Sequence, residues 1–285
     1  MNYYIFLIWF IANVDSRKLI NRITRKLGIG IANSLIRDYS HEIYLNSTYI
    51  KNDNLLKEKY KNKKLLTISP GGLKGFYTLG VCTYIKENYD VSDWIYSGAS
   101  SGAWNALFMC KKNNNSDFLK TIHDIDYESF SDINDVEQIL KYEIMKNYKT
   151  EDFNLDKLFV TVTIFNKVKI TTNIYSEFDS LQDAIDCCIA SSHIPFITGK
   201  IFHKYKKNFA FDGGFGIYPY IKLLTPMLNI TPNIWDDNDT DNFLDLDNLN
   251  IRKNNINSIL FTLFEKGYND SFLNKKIIDD YVLNK

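Results

Sequence analysis

Three short stretches of this chain pair a reactive or anion-binding group with the glycines needed to present it. In the first, Gly98-Ala99-Ser100-Ser101-Gly102, a G-x-S-x-G pentapeptide follows the strand-like Trp94-Ile95-Tyr96. Behind it, Ala103, Trp104, Leu107, Phe108 and Cys110 recur at helical spacing. A serine on a sharp strand-to-helix turn projects its hydroxyl clear of the backbone, and flanking glycines remove side chains that would clash in the bend. The following helix would turn the positive end of its dipole toward that serine. Alone the pentapeptide is a weak signal, since a chain of this length carries it by chance about one time in ten. A plain strand-helix turn is the competing reading.

The second stretch is Ser69-Pro70-Gly71-Gly72-Leu73-Lys74-Gly75, between a buried-looking strand at residues 65–68 and a helix-like run from Phe76. Adjacent glycines at a strand end let main-chain amides face a ligand, as an oxyanion hole or a phosphate cradle requires. The spacing fits neither the G-x-x-x-x-G-K-[ST] loop nor the G-x-G-x-x-G fingerprint, so an oxyanion hole serving the downstream serine is the better reading. The third stretch is Phe211-Asp212-Gly213-Gly214, after the strand-like Asn208-Phe209-Ala210. Hydrolytic serines normally take a histidine base. The histidines are His41, His123, His193 and His203, all ahead of Asp212, so a Ser, Asp, His order cannot be built with that aspartate. Either another acid completes a conventional triad, or Asp212 itself activates Ser100.

With these stretches in this order, the chain resembles the patatin-like phospholipase family, which uses a Ser-Asp dyad. Gly71-Gly72-Leu73-Lys74-Gly75 matches the family's G-G-x-R/K-G oxyanion loop, with Lys74 where arginine is commoner. Gly98 through Gly102 matches its elbow, and Asp212-Gly213-Gly214 its D-G-G/A motif. Ala190-Ser191-Ser192-His193-Ile194-Pro195-Phe196 resembles the segment that precedes the catalytic aspartate in these proteins. The likeness spans about residues 63–219. Pro70 and Ser69 depart from it, standing where the family has a further glycine and an aspartate. The resemblance implies Ser100 as nucleophile, Asp212 as base, and an oxyanion hole drawn from Gly71, Gly72, Lys74 and Gly75. It implies hydrolysis of carboxylic esters of phospholipids or acylglycerols through an acyl-enzyme, with no metal and no organic cofactor.

Other conspicuous residues read as structural. His193, between Ser192 and Ile194-Pro195-Phe196, is expected to be a hydrogen-bonded framework residue. Cys82, Cys110, Cys187 and Cys188 lack metal-site spacing and read as reduced core thiols. In Asp236-Asp237-Asn238-Asp239-Thr240-Asp241, a calcium-loop reading fails because Asn242 and Asn248 occupy the glycine and glutamate positions, which leaves a solvated loop.

To position these groups, strands are expected at 65–68, 94–96, 158–164 and 168–174, and helices at 75–88, 101–110 and 181–190. This alternation predicts an α/β fold, a three-layer α/β/α sandwich with a mostly parallel sheet and the reactive groups at strand carboxyl ends. A polar insertion at 111–154, with an amphipathic helix at 136–145, is expected to act as a lid over an acyl groove. An apolar run at 259–264 reads as a last strand or helix. At 285 residues and 45% hydrophobic, the chain can bury one large core, and its zero net charge argues against a nucleic-acid partner.

Residues 1–30 form a separate segment, ahead of a catalytic domain over 31–285. Tyr3 through Ala12 is apolar, but ten helical residues cover about 15 Å, half of the roughly 30 Å hydrocarbon layer. A signal peptide is a further, weaker reading, because the start lacks a basic n-region and no clean A-x-A site follows. Leu19, Ile20, Ile23 and Leu27, with Arg17, Lys18, Arg22, Arg25 and Lys26 on other faces, read as an interfacial helix for anionic lipid. A helix packed on the core is the alternative. The expected location is therefore cytoplasmic or peripheral to a membrane. Rival functions are a soluble acyl ester or thioester hydrolase of the same fold, or a catalytically silent lipid-binding module.

Overall fold

The computed structural model describes residues 41–50, 53–113, 115–129, 133–166, 169–194, 198, 203–216, 218–223, 227–235 and 256–283. The segment at 1–30 and the acidic run at 236–241 lie outside the described residues.

In chain order the described elements begin with β1 (His41–Leu45), β2 (Thr48–Ile50), α1 (Asp53–Lys59), β3 (Lys64–Ile68), α2 (Gly75–Asn88), β4 (Trp94–Ala99) and α3 (Ser101–Cys110). Then come α4 (Ser116–His123), α5 (Ile133–Asn147), β5 (Leu158–Asn166), β6 (Lys169–Ser176) and α6 (Leu181–Ser191). The chain continues with β7 (His203–Tyr205), β8 (Asn208–Phe211), β9 (Met227–Ile230), α7 (Ile256–Leu273) and α8 (Lys275–Leu283). The sheet runs β2-β1-β6-β5-β4-β3-β9, with β8 on β5 and β7 on β8. Its β9-β3-β4-β5 centre is parallel throughout, and β1 lies parallel to β6.

The central strands are buried on both faces, as parallel strands between layers must be. All of β4 and the last four residues of β3 are buried. Period-two alternation sorts their side chains. Leu66, Ile68, Tyr96, Val160 and Val162 enter the large core with α2, α3 and α6. Leu65, Ile95, Phe159 and Ile174 meet Leu56 and Tyr60, at and just past α1, and Ile221 on the opposite face. The expected α/β fold with a mostly parallel sheet between helices is thus observed, the second layer being thin among the described residues.

Three elements differ in detail from expectation. Strand β4 runs on to Ala99, so the first two elbow residues are still in the sheet. Strand β6 is described from Lys169 and runs antiparallel to β5, with Val160 opposite Tyr175 and Asn166 opposite Lys169. A connection of two residues cannot make the crossover that a parallel pair needs. The run at 259–264 is helical, inside α7.

Candidate active site

Ser100 sits where β4 ends and α3 begins, with φ 56° and ψ −131°. A non-glycine residue in this sparsely populated region persists only where its surroundings over-determine it. The flanking glycines supply part of that constraint. A Cβ on Gly98 would lie 2.1 Å from the Gly102 carbonyl oxygen, and one on Gly102 would lie 2.2 Å from that of Ile68. The Ser100 amide donates to Ser191 Oγ at 2.8 Å. Ser100 itself is buried, at 7% exposure.

Asp212 follows β8, which pairs antiparallel with β5, Phe211 opposite Thr163. Its carboxylate is aimed by four bonds. Oδ2 accepts from Ser100 Oγ at 2.6 Å and Oδ1 from the Gly214 amide at 2.7 Å. The Asp212 amide donates to the His193 carbonyl at 2.7 Å, and the Asp212 carbonyl accepts from Thr163 Oγ1 at 2.9 Å. A Cβ on Gly213 would lie 2.0 Å from the Thr161 carbonyl, so this turn fits against β5 only as glycine. Burial pushes the carboxyl up from its ordinary 3.8 to about 6, against the hydrogen bonds from Ser100 and the Gly214 amide, which favour the anion. The pair is therefore a hydroxyl hydrogen-bonded to a desolvated carboxylate whose basicity lies nearer neutrality than a solvated one's.

The glycine-rich loop packs against both. Gly72 takes φ 54°, and the Lys74 and Gly75 amides close the loop's own turn onto the carbonyls of Gly71 and Gly72. Of the expected oxyanion donors, Lys74 and Gly75 thus use their amides inside the loop's own 3₁₀ turn, and Gly71 and Gly72 stand ahead of it. Asn105 of α3 donates to the Gly75 carbonyl at 2.9 Å and to Thr78 Oγ1 at 2.7 Å, which ties the elbow helix to the start of α2. Pro70, at the position where the likeness fails, lies against Gly214, where a Cβ would meet its ring at 2.7 Å. Three turns far apart in sequence therefore meet at one place.

His193 lies beside the site, buried at 4% exposure. Its carbonyl holds the Asp212 amide and its ring lies 5.4 Å from that of His203. The cysteines are free and buried, with burial pushing each thiol up. The insertion is packed against the protein, with Lys141 of α5 bonded to Asp186 of α6 at 2.5 Å and Tyr127 edge-on to Phe76, the residue after Gly75. An acid-rich cleft of about 700 Å³ between α4 and α5 is lined by neither Ser100 nor Asp212.

The family model described as patatin-like phospholipase matches residues 66–219, more than half of the chain. The chain belongs to that family. A search of curated proteins gave no match. Membership of the patatin-like phospholipases makes this a chain of a lipid acyl hydrolase family, and the matched span contains the glycine-rich loop, the elbow and the Asp212 turn. No described helix is long and apolar enough to cross a membrane. Asn105 and Thr163 escaped the motif reading, and Ser191 entered it only within the stretch at 190–196, with no role of its own. Each is a polar residue inside an otherwise regular element, and its partner lies 30, 49 and 91 residues away respectively.

Proposed function

We propose that this protein hydrolyses carboxylic esters of membrane lipids, as a phospholipase A-type enzyme or acylglycerol lipase, with Ser100 as nucleophile and Asp212 as base. The observation that carries the reading is the buried 2.6 Å hydrogen bond from Ser100 Oγ to Asp212 Oδ2. Ser100 attacks the ester carbonyl while its proton passes to Asp212. The tetrahedral oxyanion is held by the Gly71 and Gly72 amides, joined by an amide from the elbow. Asp212 then returns the proton to the leaving alkoxide, which departs as the alcohol. In the second half a water gives a proton to Asp212 as it attacks the acyl carbon, and Asp212 passes that proton to Ser100 Oγ as the Ser100–acyl bond breaks and the acid leaves. The chemistry uses neither a metal nor an organic cofactor. Membrane phospholipid is the first substrate, because the apolar and basic residues 3–27 suit an anionic lipid surface. The insertion around α5 serves as the lid over the acyl chain.

Ser100→Ala is expected to abolish turnover of long-chain esters, and Asp212→Asn to lower it by about 10²- to 10⁴-fold, the range for a positioned base. A fluorophosphonate probe should label Ser100 and leave Ser100→Ala unlabelled. Folded variants that hydrolyse at the native rate would overturn the dyad. A preference for short-chain, soluble esters would overturn the lipid substrate.

A further inference from the structure

The carboxyl end of α6 touches both members of the dyad through the main chain. Ser191, the last residue of α6, is fully buried at 0% exposure. Its hydroxyl donates to the Thr161 carbonyl at 2.6 Å and accepts from the Ser100 amide at 2.8 Å. A hydroxyl has one proton to give, so the bond to Thr161 fixes its direction and turns a lone pair toward Ser100. Thr161 is also the residue that pairs with Ala99, the last residue of β4. The Ser191 hydroxyl is thus interposed between strand β5 and the first amide that leaves the sheet. The same Thr161 carbonyl is the surface against which Gly213 is pressed, and Ser191 Oγ lies 3.0 Å from where a Gly213 Cβ would stand. Two residues on, the His193 carbonyl holds the Asp212 amide, while Ser192 Oγ holds the indole of Trp104 on α3.

We propose that Ser191 is a positioning residue, which locks the unfavourable backbone of Ser100 and, through the turn it begins, sets the separation of the Ser100 and Asp212 side chains. It takes no proton from the reacting atoms, because its own proton is committed to Thr161 and its partner is the amide of Ser100. Without it the Ser100 amide is buried with no acceptor, and the turn at φ 56° loses the bond opposing its relaxation. A displacement of about 1 Å at a reacting group costs about 10²-fold in rate.

The inference rests on the acyl hydrolase reading for its kinetic consequence, but its structural core does not. Ser191→Ala removes one oxygen and adds no volume. Its control is Ser271→Ala, an equally buried serine of α7 whose hydroxyl bonds the Gly267 carbonyl at 2.8 Å. Ser191→Ala is expected to lower kcat on a micellar long-chain ester by about 10- to 100-fold with KM unchanged. It should slow fluorophosphonate labelling of Ser100 in parallel, and raise hydrogen exchange at the Ser100 amide by about tenfold or more. Ser271→Ala should change melting temperature alone. A kcat for Ser191→Ala within twofold of native, a loss matched by Ser271→Ala, or unchanged protection of the Ser100 amide would each overturn the proposal. If the native protein neither hydrolyses esters nor takes the probe, the hydrolase reading falls. Exchange at the Ser100 amide then still decides whether Ser191 holds that turn.

Discussion

Asp212 faces a hydroxyl and an amide, both neutral, so its charge is compensated by hydrogen bonds alone. Desolvation wins over those bonds, and the folded-state value rises from 3.8 to about 6. The folded protein therefore binds this proton more tightly than the unfolded chain does. The resulting stabilisation is complete below about pH 4 and is lost as pH rises through about 6, leaving an ionised group that strains the site at neutral pH. Asp212→Asn keeps an acceptor for the Gly214 amide and removes the charge. We expect it to be more stable than the native protein at pH 8, with the gain vanishing by pH 4, in urea unfolding at both pH values. Proton acceptance requires the ionised form, so kcat/KM of the native protein should rise with pH along a curve centred near 6. A profile flat from pH 4.5 to 8 would remove Asp212 from the role of base. Ser100 and Asp212 were legible in the sequence because each carries its glycines beside it. Asn105 was not, and Ser191 was visible only as part of the stretch at 190–196 without a role, because hydrogen bonds across the fold define what both do.

Helix α7 begins 37 residues past the end of the family match at residue 219, yet it is built into the site's support. It crosses α2, the helix that leads out of the glycine-rich loop, at a point where neither backbone has side chains to spare. A Cβ on Gly80 would lie 2.1 Å from the Phe264 carbonyl, and one on Gly267 would lie 2.0 Å from that of Tyr77. Tyr77 OH donates to Asp270 at 2.7 Å beside the crossing. Gly267→Ala must therefore push the helices apart. Overpacking of this kind costs about 1–3 kcal/mol and occasionally more. Because Tyr77 is two residues from Gly75, ester turnover should fall together with the urea midpoint. Unchanged stability would mean that the crossing relaxes freely. At the far end of α3, Lys86 of α2 donates to the Phe108 and Lys111 carbonyls at 2.8 and 2.7 Å, and burial pulls its ammonium down to about 7. The elbow helix is thus held at its middle by Asn105 and at its carboxyl end by Lys86. The glycine and lysine pattern of α2 gave no warning of either contact, since period and propensity describe one helix at a time.

For the whole molecule, balanced charge leaves no general attraction to an anionic surface, so any affinity for membranes must be local. The basic and apolar residues of 3–27 are the segment we propose for such a contact. Deleting residues 1–30 is expected to weaken sedimentation with anionic vesicles, and the binding of the full chain should weaken with salt, because exposed Lys and Arg are screened beyond about 10 Å at 0.1 M. Equal binding by the truncated protein would assign these residues to another task.

The sequence by itself determined the class of fold and the order of the three glycine-flanked turns, and its family resemblance implied which hydroxyl and carboxylate would pair. Those properties are local: a glycine beside a serine, an aspartate at a strand end, apolar residues at a regular period. Only the tertiary structure decided that the Lys74 and Gly75 amides close a turn within the glycine-rich loop, that β6 turns back on β5, that α7 braces α2, and that the end of α6 holds the backbones of both Ser100 and Asp212. Each depends on distances between backbones separated by tens of residues, and these are set by how closely buried surfaces pack, which no local pattern encodes.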